Sequence, residues 1–260
     1  MGKTIKTALK LFGLFMLFSE ALFAATSQSY YRELLNQYLQ NGFVDYRSIR
    51  ESPGLLQQAF EEFQLVEEGV FQKWGVNEQK AFWVNAYNLA VIKIITDHYP
   101  LGKGLTWKAL AYPSNSIQQI PDVWDRKVIR ALGKERSLNE IEHEILRKEF
   151  KDARIHFALV CASLGCPVLR SEPYDGAKLD SQLNDQVRTF LTTVQKARYD
   201  KDSDALYLSP IFKWFRMDFE PLGGALGFVS RYWPSAESKS MSAKTQIKWL
   251  DYDWSLNEKR

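Results

Sequence analysis

Apolar residues recur at helical spacing in three stretches of the first hundred positions. The first stretch covers residues 30–39, and the second begins near Pro53 and carries its apolar residues on one face. The third runs from about residue 77 to residue 98 and is closed by Pro100. Between residues 81 and 95 it is apolar on nearly all sides, which predicts a helix buried at the centre of the fold.

Shorter apolar runs in the remainder of the chain indicate both helices and strands. Residues 128–134 are typical of a hairpin, and Ser137 with Glu140 forms a capping box that opens a helix to Phe150. The run IHFALVCA, at 155–162, has strand length and predicts a buried strand. Further helical or extended patterns cover residues 179–194, 205–208, 211–217, 222–233 and 246–250. Because helices outnumber strands and do not alternate with them regularly, we expect an α+β fold, a predominantly helical single domain with a small, mainly antiparallel sheet.

The first 24 residues have the pattern of a secretory signal peptide. Three lysines precede an apolar stretch at 11–18, and the small residue Ala24 ends the segment. The apolar stretch is shorter than the roughly 20 residues that a membrane-spanning helix requires. We therefore expect residues 25–260 to form a single globular domain, exported to the periplasm or the extracellular medium, with no stable membrane anchor after cleavage. The alternative is an uncleaved anchor, which Glu20 disfavours.

Composition excludes a disordered chain and gives little support for a charged partner. The 260 residues are 45% hydrophobic, 14% aromatic and 25% charged, which is typical of a folded globular protein. The formal net charge is +3, but the predicted signal peptide holds three lysines and one glutamate, so the exported part is nearly neutral. Basic residues are scattered, and export removes the opportunity to meet nucleic acid, so we expect no nucleic-acid partner. Nothing in the sequence indicates another partner.

The predicted central helix carries two asparagines among apolar residues. Asn85 and Asn88 stand three positions apart and therefore share a face. Buried amides are tolerated only when their donors and acceptors find partners. Two interpretations stay open: the asparagines fix the backbone of a neighbouring loop, or one of them orients a catalytic group.

A second group of polar residues lies on the helix that the capping box opens. Glu142 falls inside the apolar arc of that helix, and His143 lies at its edge. A carboxylate directed inward must be paired or protonated, because burial of an isolated charge is costly. We therefore expect Asn85, Glu142 and His143 to converge on one buried site.

The first functional hypothesis is an enzyme of hydrolase or acyl-transfer type. Cys161 would be the nucleophile, with His143 or His156 as the base and Asn85 or Glu142 orienting the imidazole. The chemistry requires a thiolate, so the cysteine must lie near a group that lowers its pKa. In a regular strand at 155–162, His156 and Cys161 would face opposite sides of the strand.

The second hypothesis for the cysteines is structural. Cys161 and Cys166 are the two cysteines of the chain, and an exported protein meets an oxidising compartment, which favours a disulfide across the intervening turn. Such a bond would remove the nucleophile, so the two hypotheses exclude each other. A redox-active pair is a further option, although the spacing does not match CxxC.

The third hypothesis is a binding module without catalysis. The chain holds eight tryptophans and twelve tyrosines, several of them near element ends, where they could line a groove for a glycan or a peptide. A metal site of Glu142, His143 and His156 is a minor variant, but neither HExxH nor paired CxxC motifs are present. We therefore expect no metal and no other cofactor.

Five segments together resemble the family called domain of unknown function 547. The resemblance spans about residues 44–257, and its segments are FWVNAYN (82–88), SLNEIEHEILR (137–147), RIHFALVCASLGCPVLR (154–170), LSPIFKWFRMDF (208–219) and YDWSLN (252–257). It implies a single domain, commonly exported in bacteria, whose biochemical activity is not established. The residues that match the motifs of the family are Asp45, Asn85, Asn88, Glu142, His143, His156, Cys161, Cys166 and Asp218. Among them we take Asn88 and Asp218 as candidate binding residues.

Overall fold

A helix of 23 residues, Val76–His98, forms the centre of the molecule and is buried on nearly all sides, as its apolar sequence predicts. The computed structural model describes residues 28–102, 107–234 and 241–259, so the predicted signal peptide lies outside the described residues. The central helix packs against elements from both halves of the chain, namely Tyr46–Glu51, Gly54–Gln64, Glu140–Phe150 and Leu179–Leu191.

The N-terminal helices form a layer held together by one buried carboxylate. Helix Ser29–Tyr38 packs on helix Gly54–Gln64, and both follow their predicted amphipathic patterns. Glu62 accepts hydrogen bonds from the Ser29 hydroxyl at 2.9 Å and from the backbone N–H groups of Tyr30 and Tyr31 at 3.0 and 3.1 Å. A carboxylate is favourable at this place because the first N–H groups of a helix have no partner within it.

The C-terminal half adds a small sheet and a second core. The strands are Ala197–Asp200, Ala205–Leu208 and Gln246–Trp249; the first pair is antiparallel and the second is parallel. Aromatic residues dominate the core beneath them, with Phe157, Phe212, Phe219 and Phe228 in mutual contact. The predicted α+β class, mainly helical with small sheets, is confirmed.

Short elements connect these parts. The predicted hairpin is present as the antiparallel strands Ile129–Ala131 and Lys134–Arg136, and a smaller one pairs Leu39–Gln40 with Phe43–Val44. The remaining short helices are Glu68–Phe71, Lys108–Ala111, Ile117–Gln119, Ile211–Trp214, Arg216–Phe219, Glu220–Leu222 and Gly224–Tyr232. None of the helices in the described ranges is both long and apolar enough to cross a bilayer.

The helix after the hairpin begins at its predicted capping box. The Ser137 N–H donates to the Glu140 carboxylate at 2.8 Å, and the Glu140 N–H donates to the Ser137 hydroxyl at 3.2 Å. Over Glu140–Phe150, however, the backbone winds as a π-helix, with a wider turn than the α-helix that the sequence predicts. Such segments are rare and frequently occur at functional sites.

The predicted buried strand at 155–162 is wrong. The chain forms a 3-10 helix over Ala153–Phe157 and then continues as an irregular, buried segment. The Asn88 side chain supplies the partners that a neighbouring strand would have given, since it donates to the Ala158 carbonyl at 2.9 Å and accepts from the Val160 N–H at 3.0 Å. A short apolar run indicates burial but does not distinguish a strand from other buried structure.

Candidate functional site

A pocket of about 270 Å³ lies between the π-helix, the cysteine-bearing segment and the C-terminal residues. Its walls are mainly apolar and aromatic, with a few polar groups among them, which is the usual composition of a small-molecule site. The lining residues are Tyr87, Gln118, Trp124, Asn139, Glu142, His143, His156, Leu159, Cys161, Cys166, Pro167, Ile211, Trp214, Phe215, Tyr252 and Trp254.

The C-terminal segment holds the cysteine loop from one side. The Gly165 N–H donates to the Asp253 carbonyl at 2.8 Å, and the Asn257 N–H donates to the Ala162 carbonyl at 2.9 Å. A Cβ atom at Gly165 would lie 3.0 Å from the backbone nitrogen and oxygen of Asp253, so a larger residue would require the two backbones to move apart by a few tenths of an ångström. With Asn88 on the other side, the loop is fixed at both ends.

The predicted disulfide between Cys161 and Cys166 is not formed, and both cysteines are free. The Cys166 sulfur instead accepts the backbone N–H of Cys161 at 2.8 Å. The Cys161 sulfur lies 3.0 Å from the Ser163 hydroxyl and 3.2 Å from the Tyr252 hydroxyl. Each sulfur therefore has polar neighbours that can form hydrogen bonds with it, whether it is a thiol or a thiolate.

The surroundings of the two sulfurs shift their pKa values in opposite directions. Burial alone would raise its pKa, but hydrogen bonds from Cys161 and Tyr252 and the nearby charge of Lys196 lower that pKa to about 6. Burial and the neighbouring sulfur raise the pKa of Cys161 well above its usual value. Lys196 is itself buried and donates to the Cys166 carbonyl.

Asp218 holds the buried imidazole of His156. The His156 Nε2 lies 2.7 Å from the Asp218 carboxylate, and Phe215 stacks on the ring with 3.9 Å between centroids. Burial lowers the pKa of His156, so the ring is neutral near pH 7 and donates its Nε2 proton to the carboxylate. The Nδ1 atom then carries a lone pair and is buried without a hydrogen-bond partner among the residues that the structure describes. Burial alone would raise the pKa of Asp218, but hydrogen bonds from His156 and Arg147 hold it well below its usual range.

His143 has the opposite tautomer. The Arg147 guanidinium, which only donates, lies 2.9 Å from the His143 Nδ1, so Nδ1 accepts and Nε2 carries the proton. Burial and the positive charge of Arg147 lower the pKa of His143, which keeps the ring neutral. Arg147 is in turn held by Asp218 through two hydrogen bonds of 2.6 and 3.0 Å. The pocket therefore has a neutral N–H donor at His143.

Glu142 points into the protein, as its position on the helix predicts, and reaches the pocket beside His143. Its carboxylate accepts a hydrogen bond from the Tyr87 hydroxyl at 3.1 Å. Burial raises the pKa of Glu142 to about 7, with the Tyr87 bond and the charge of Arg147 opposing the shift. A carboxyl group with this pKa can both give and take a proton near neutral pH.

The structure brings together four of the five predicted catalytic residues, since Cys161, His143, His156 and Glu142 all line the pocket. His156 and Cys161 do not face opposite sides, because the strand on which that expectation rested is absent. The described part of the chain has no hydrogen bond between a cysteine sulfur and an imidazole, so a preformed cysteine–histidine pair is absent from it.

The two asparagines fix backbone and do not line the pocket. Asn85 donates to the Tyr174 carbonyl at 2.8 Å, accepts from the Tyr174 N–H at 2.9 Å, and donates to the Gln28 side chain at 2.6 Å. The expected convergence of Asn85 with Glu142 and His143 is therefore wrong, and the backbone-fixing interpretation holds for both asparagines. Asp218, a predicted binding residue, contacts His156 and Arg147 and is not among the lining residues.

Several residues of the site were not predicted from the sequence. Arg147 stands four positions after His143, and this helical spacing could have identified it. Tyr87 lies between the two asparagines that drew attention to the central helix. Tyr252 opens the segment YDWSLN of the family resemblance, but nothing near it or near Lys196 in sequence indicates a contact with the cysteines, which lie 91 and 30 positions away. Across the described ranges, no three His, Cys, Asp or Glu side chains are grouped to hold a metal ion.

A family comparison covers part of this site. Residues 71–191 match the family described as Protein of unknown function, DUF547. The resemblance to domain of unknown function 547 is thus confirmed over somewhat less than half of the chain. The DUF547 stretch contains Glu142, His143, His156 and both cysteines, and it ends before Asp218. No curated protein and no solved structure matches the chain.

Proposed function

We propose that this domain is an exported enzyme of hydrolase or acyl-transfer type, and that Cys166 is its nucleophile. The observation that carries the proposal is the meeting of three groups in one pocket: a thiolate at Cys166, a carboxyl group at Glu142 that titrates near neutral pH, and a neutral N–H donor at His143. These are the three roles that acyl transfer through a thioester requires.

In the first step the Cys166 thiolate attacks the carbonyl carbon of the substrate. The S–C bond forms, and the carbonyl oxygen gains negative charge, which the His143 Nε2–H stabilises. Protonated Glu142 then gives its proton to the leaving oxygen or nitrogen as the bond from carbon to that atom breaks. The products of this step are a thioester on Cys166 and the free alcohol or amine.

In the second step Glu142, now a carboxylate, takes a proton from water while the water oxygen attacks the thioester carbon. The S–C bond breaks, a carboxylic acid leaves, and Cys166 returns as a thiolate. In acyl transfer an alcohol or amine takes the place of water. Cys161 supports the thiolate by hydrogen bonding, and His156 acts through Asp218 and Arg147 as a positioning residue.

A non-catalytic binding module is the second candidate, and the aromatic wall of the pocket favours it. The Trp214 and Trp254 rings stack with centroids 5.8 Å apart, and Tyr252 lies 4.6 Å from Trp254. Flat aromatic surfaces of this kind suit the apolar faces of sugars and peptides. This candidate keeps the pocket but requires no thiolate chemistry. The disulfide predicted between Cys161 and Cys166 has no part in this candidate, because both cysteines are free.

Activity screening with matched variants tests the enzyme proposal. We expect the wild-type protein to cleave members of a panel of chromogenic esters, thioesters and anilides, and Cys166→Ser to abolish the reaction. His143→Ala should lower kcat by about 100-fold, the typical effect of removing one oxyanion donor. His98→Ala is the matched control, because His98 bonds to the Ile94 carbonyl and Arg126 outside the pocket. Turnover that survives Cys166→Ser would refute the proposal, and saturable glycan or peptide binding without turnover would favour the second candidate.

Export rests on the pattern of the first 24 residues and needs its own test. Cell fractionation followed by N-terminal sequencing of the purified protein should find it outside the cytoplasm and beginning near residue 25. A cytoplasmic protein that begins at Met1 would contradict this part of the proposal.

A further inference from the structure

Two consecutive glutamines, Gln118 and Gln119, are buried in the short helix Ile117–Gln119, and their side chains have different surroundings. The Gln119 amide donates to the carbonyls of Lys108, Tyr112 and Pro113, each at 3.1 Å. It therefore closes the loop that precedes the helix. Gln119 has a structural role that its contacts explain.

Gln118 is 8% exposed and lines the pocket, and its side-chain amide has no hydrogen-bond partner among the described residues. Only its backbone is engaged, through the N–H that donates to the Ser116 hydroxyl at 3.2 Å. Neither atom of this amide is among the fully buried, unpartnered side-chain atoms of the described residues, so the amide is open to the pocket, where a ligand can reach it.

The charges around the pocket indicate which kind of chemical group Gln118 would bind. Cys166 and Glu142 both carry negative charge in part of the neutral pH range, and the nearby guanidinium of Arg147 is engaged by Asp218. An anionic ligand is therefore disfavoured. A side-chain amide offers one donor group and one acceptor, which is the complement of another amide.

We propose that Gln118 binds an amide group of the substrate, donating from Nε2 to its carbonyl oxygen and accepting at Oε1 from its N–H, so that the substrates are peptides or N-acyl compounds. This inference rests on the proposed function, because it assigns the substrate class of the same pocket. Gln118 then discriminates amides from ketones and esters of the same shape, which lack the N–H.

Two alkylating reagents of nearly equal shape test this assignment. Iodoacetamide carries an amide, and iodoacetone replaces its NH2 with a methyl group; in both, the Cys166 thiolate forms an S–C bond as iodide leaves. Rates at Cys166, followed by peptide mass mapping and divided by the rates with glutathione, should favour iodoacetamide by about tenfold in the wild-type protein, the value of one good hydrogen bond. Gln118→Met should bring the ratio close to one because it removes the acceptor for the amide N–H, whereas Gln118→Glu keeps an acceptor oxygen and should keep the preference for iodoacetamide.

The outcomes separate this inference from the proposed function. An equal normalised ratio in wild type and in Gln118→Met would overturn the amide assignment while leaving the proposed nucleophile in place. Failure of both reagents to modify Cys166 at neutral pH would overturn both. Thermal unfolding gives an independent check: Gln119→Met should lower Tm, and Gln118→Met should leave it unchanged. A loss of Tm in Gln118→Met as large as that in Gln119→Met would show a structural partner and refute the inference.

Discussion

Substitution of Asn88 should destabilise the fold and disturb the cysteine loop at the same time. Asn88→Ala removes the partners of the Ala158 carbonyl and the Val160 N–H, both of which are buried. Each buried group left without a partner costs about 1–3 kcal/mol, so the variant should lose about 2–6 kcal/mol of the free energy of unfolding. That is a large fraction of the roughly 5–15 kcal/mol by which a domain is stable.

Asn85→Ala is the matched control, because Asn85 makes the corresponding pair of bonds to Tyr174 away from the pocket. Urea unfolding at 15 °C should show comparable losses for both variants. Iodoacetamide labelling as a function of pH should change only in Asn88→Ala, since the chain reaches Cys161 directly after Val160. A free energy of unfolding for Asn88→Ala within about 0.5 kcal/mol of wild type would refute the reasoning.

Three further predictions follow from the charges at the site. Glu142 has a folded pKa of about 7 against 4.5 when unfolded, so stability should fall as pH rises between these values; Glu142→Gln should remove this slope in urea unfolding at pH 5 and 8. Lys196→Met should move the pH midpoint of Cys166 alkylation upward, because a positive charge near the thiolate is lost; an unchanged midpoint would contradict the role of Lys196. Asp218 has a depressed pKa, so its contribution to the free energy of unfolding is present above about pH 4 and is lost in acid. Asp218→Asn should therefore be less stable than wild type at pH 7 and should lose less stability than wild type when the pH is lowered in acid unfolding.

Local sequence signals predicted the fold wherever the structure depends on near neighbours. The capping box of Ser137 and Glu140 is made within four residues, and the central helix follows from its own apolar surface. The segment at 155–162 was mistaken for a strand because its backbone partner, Asn88, lies 70 and 72 positions earlier in the chain. No pattern within the segment itself records that contact.

The site was predictable to a similar degree. Glu142 and His143 were found because an inward-facing carboxylate on an amphipathic helix is visible on the helical wheel. The tautomers of the two histidines could not be predicted, since they depend on the partner that each imidazole meets after folding. That partner is Arg147 for His143 and Asp218 for His156. The disulfide was expected from the pair of cysteines and the predicted export to an oxidising compartment, and neither says where each sulfur points.

The close contact of Gly165 with Asp253 matters when a function is inferred for another protein that shares part of this sequence. The thiols lie within the stretch that matches DUF547, but Asp218 and Tyr252, which tune the polar groups of the pocket, lie beyond residue 191. A fragment limited to residues 71–191 would keep both cysteines and lose one wall of the pocket. The chemistry that we propose should therefore be extended to a protein that shares only this stretch only after an equivalent of Tyr252 has been located in its own chain.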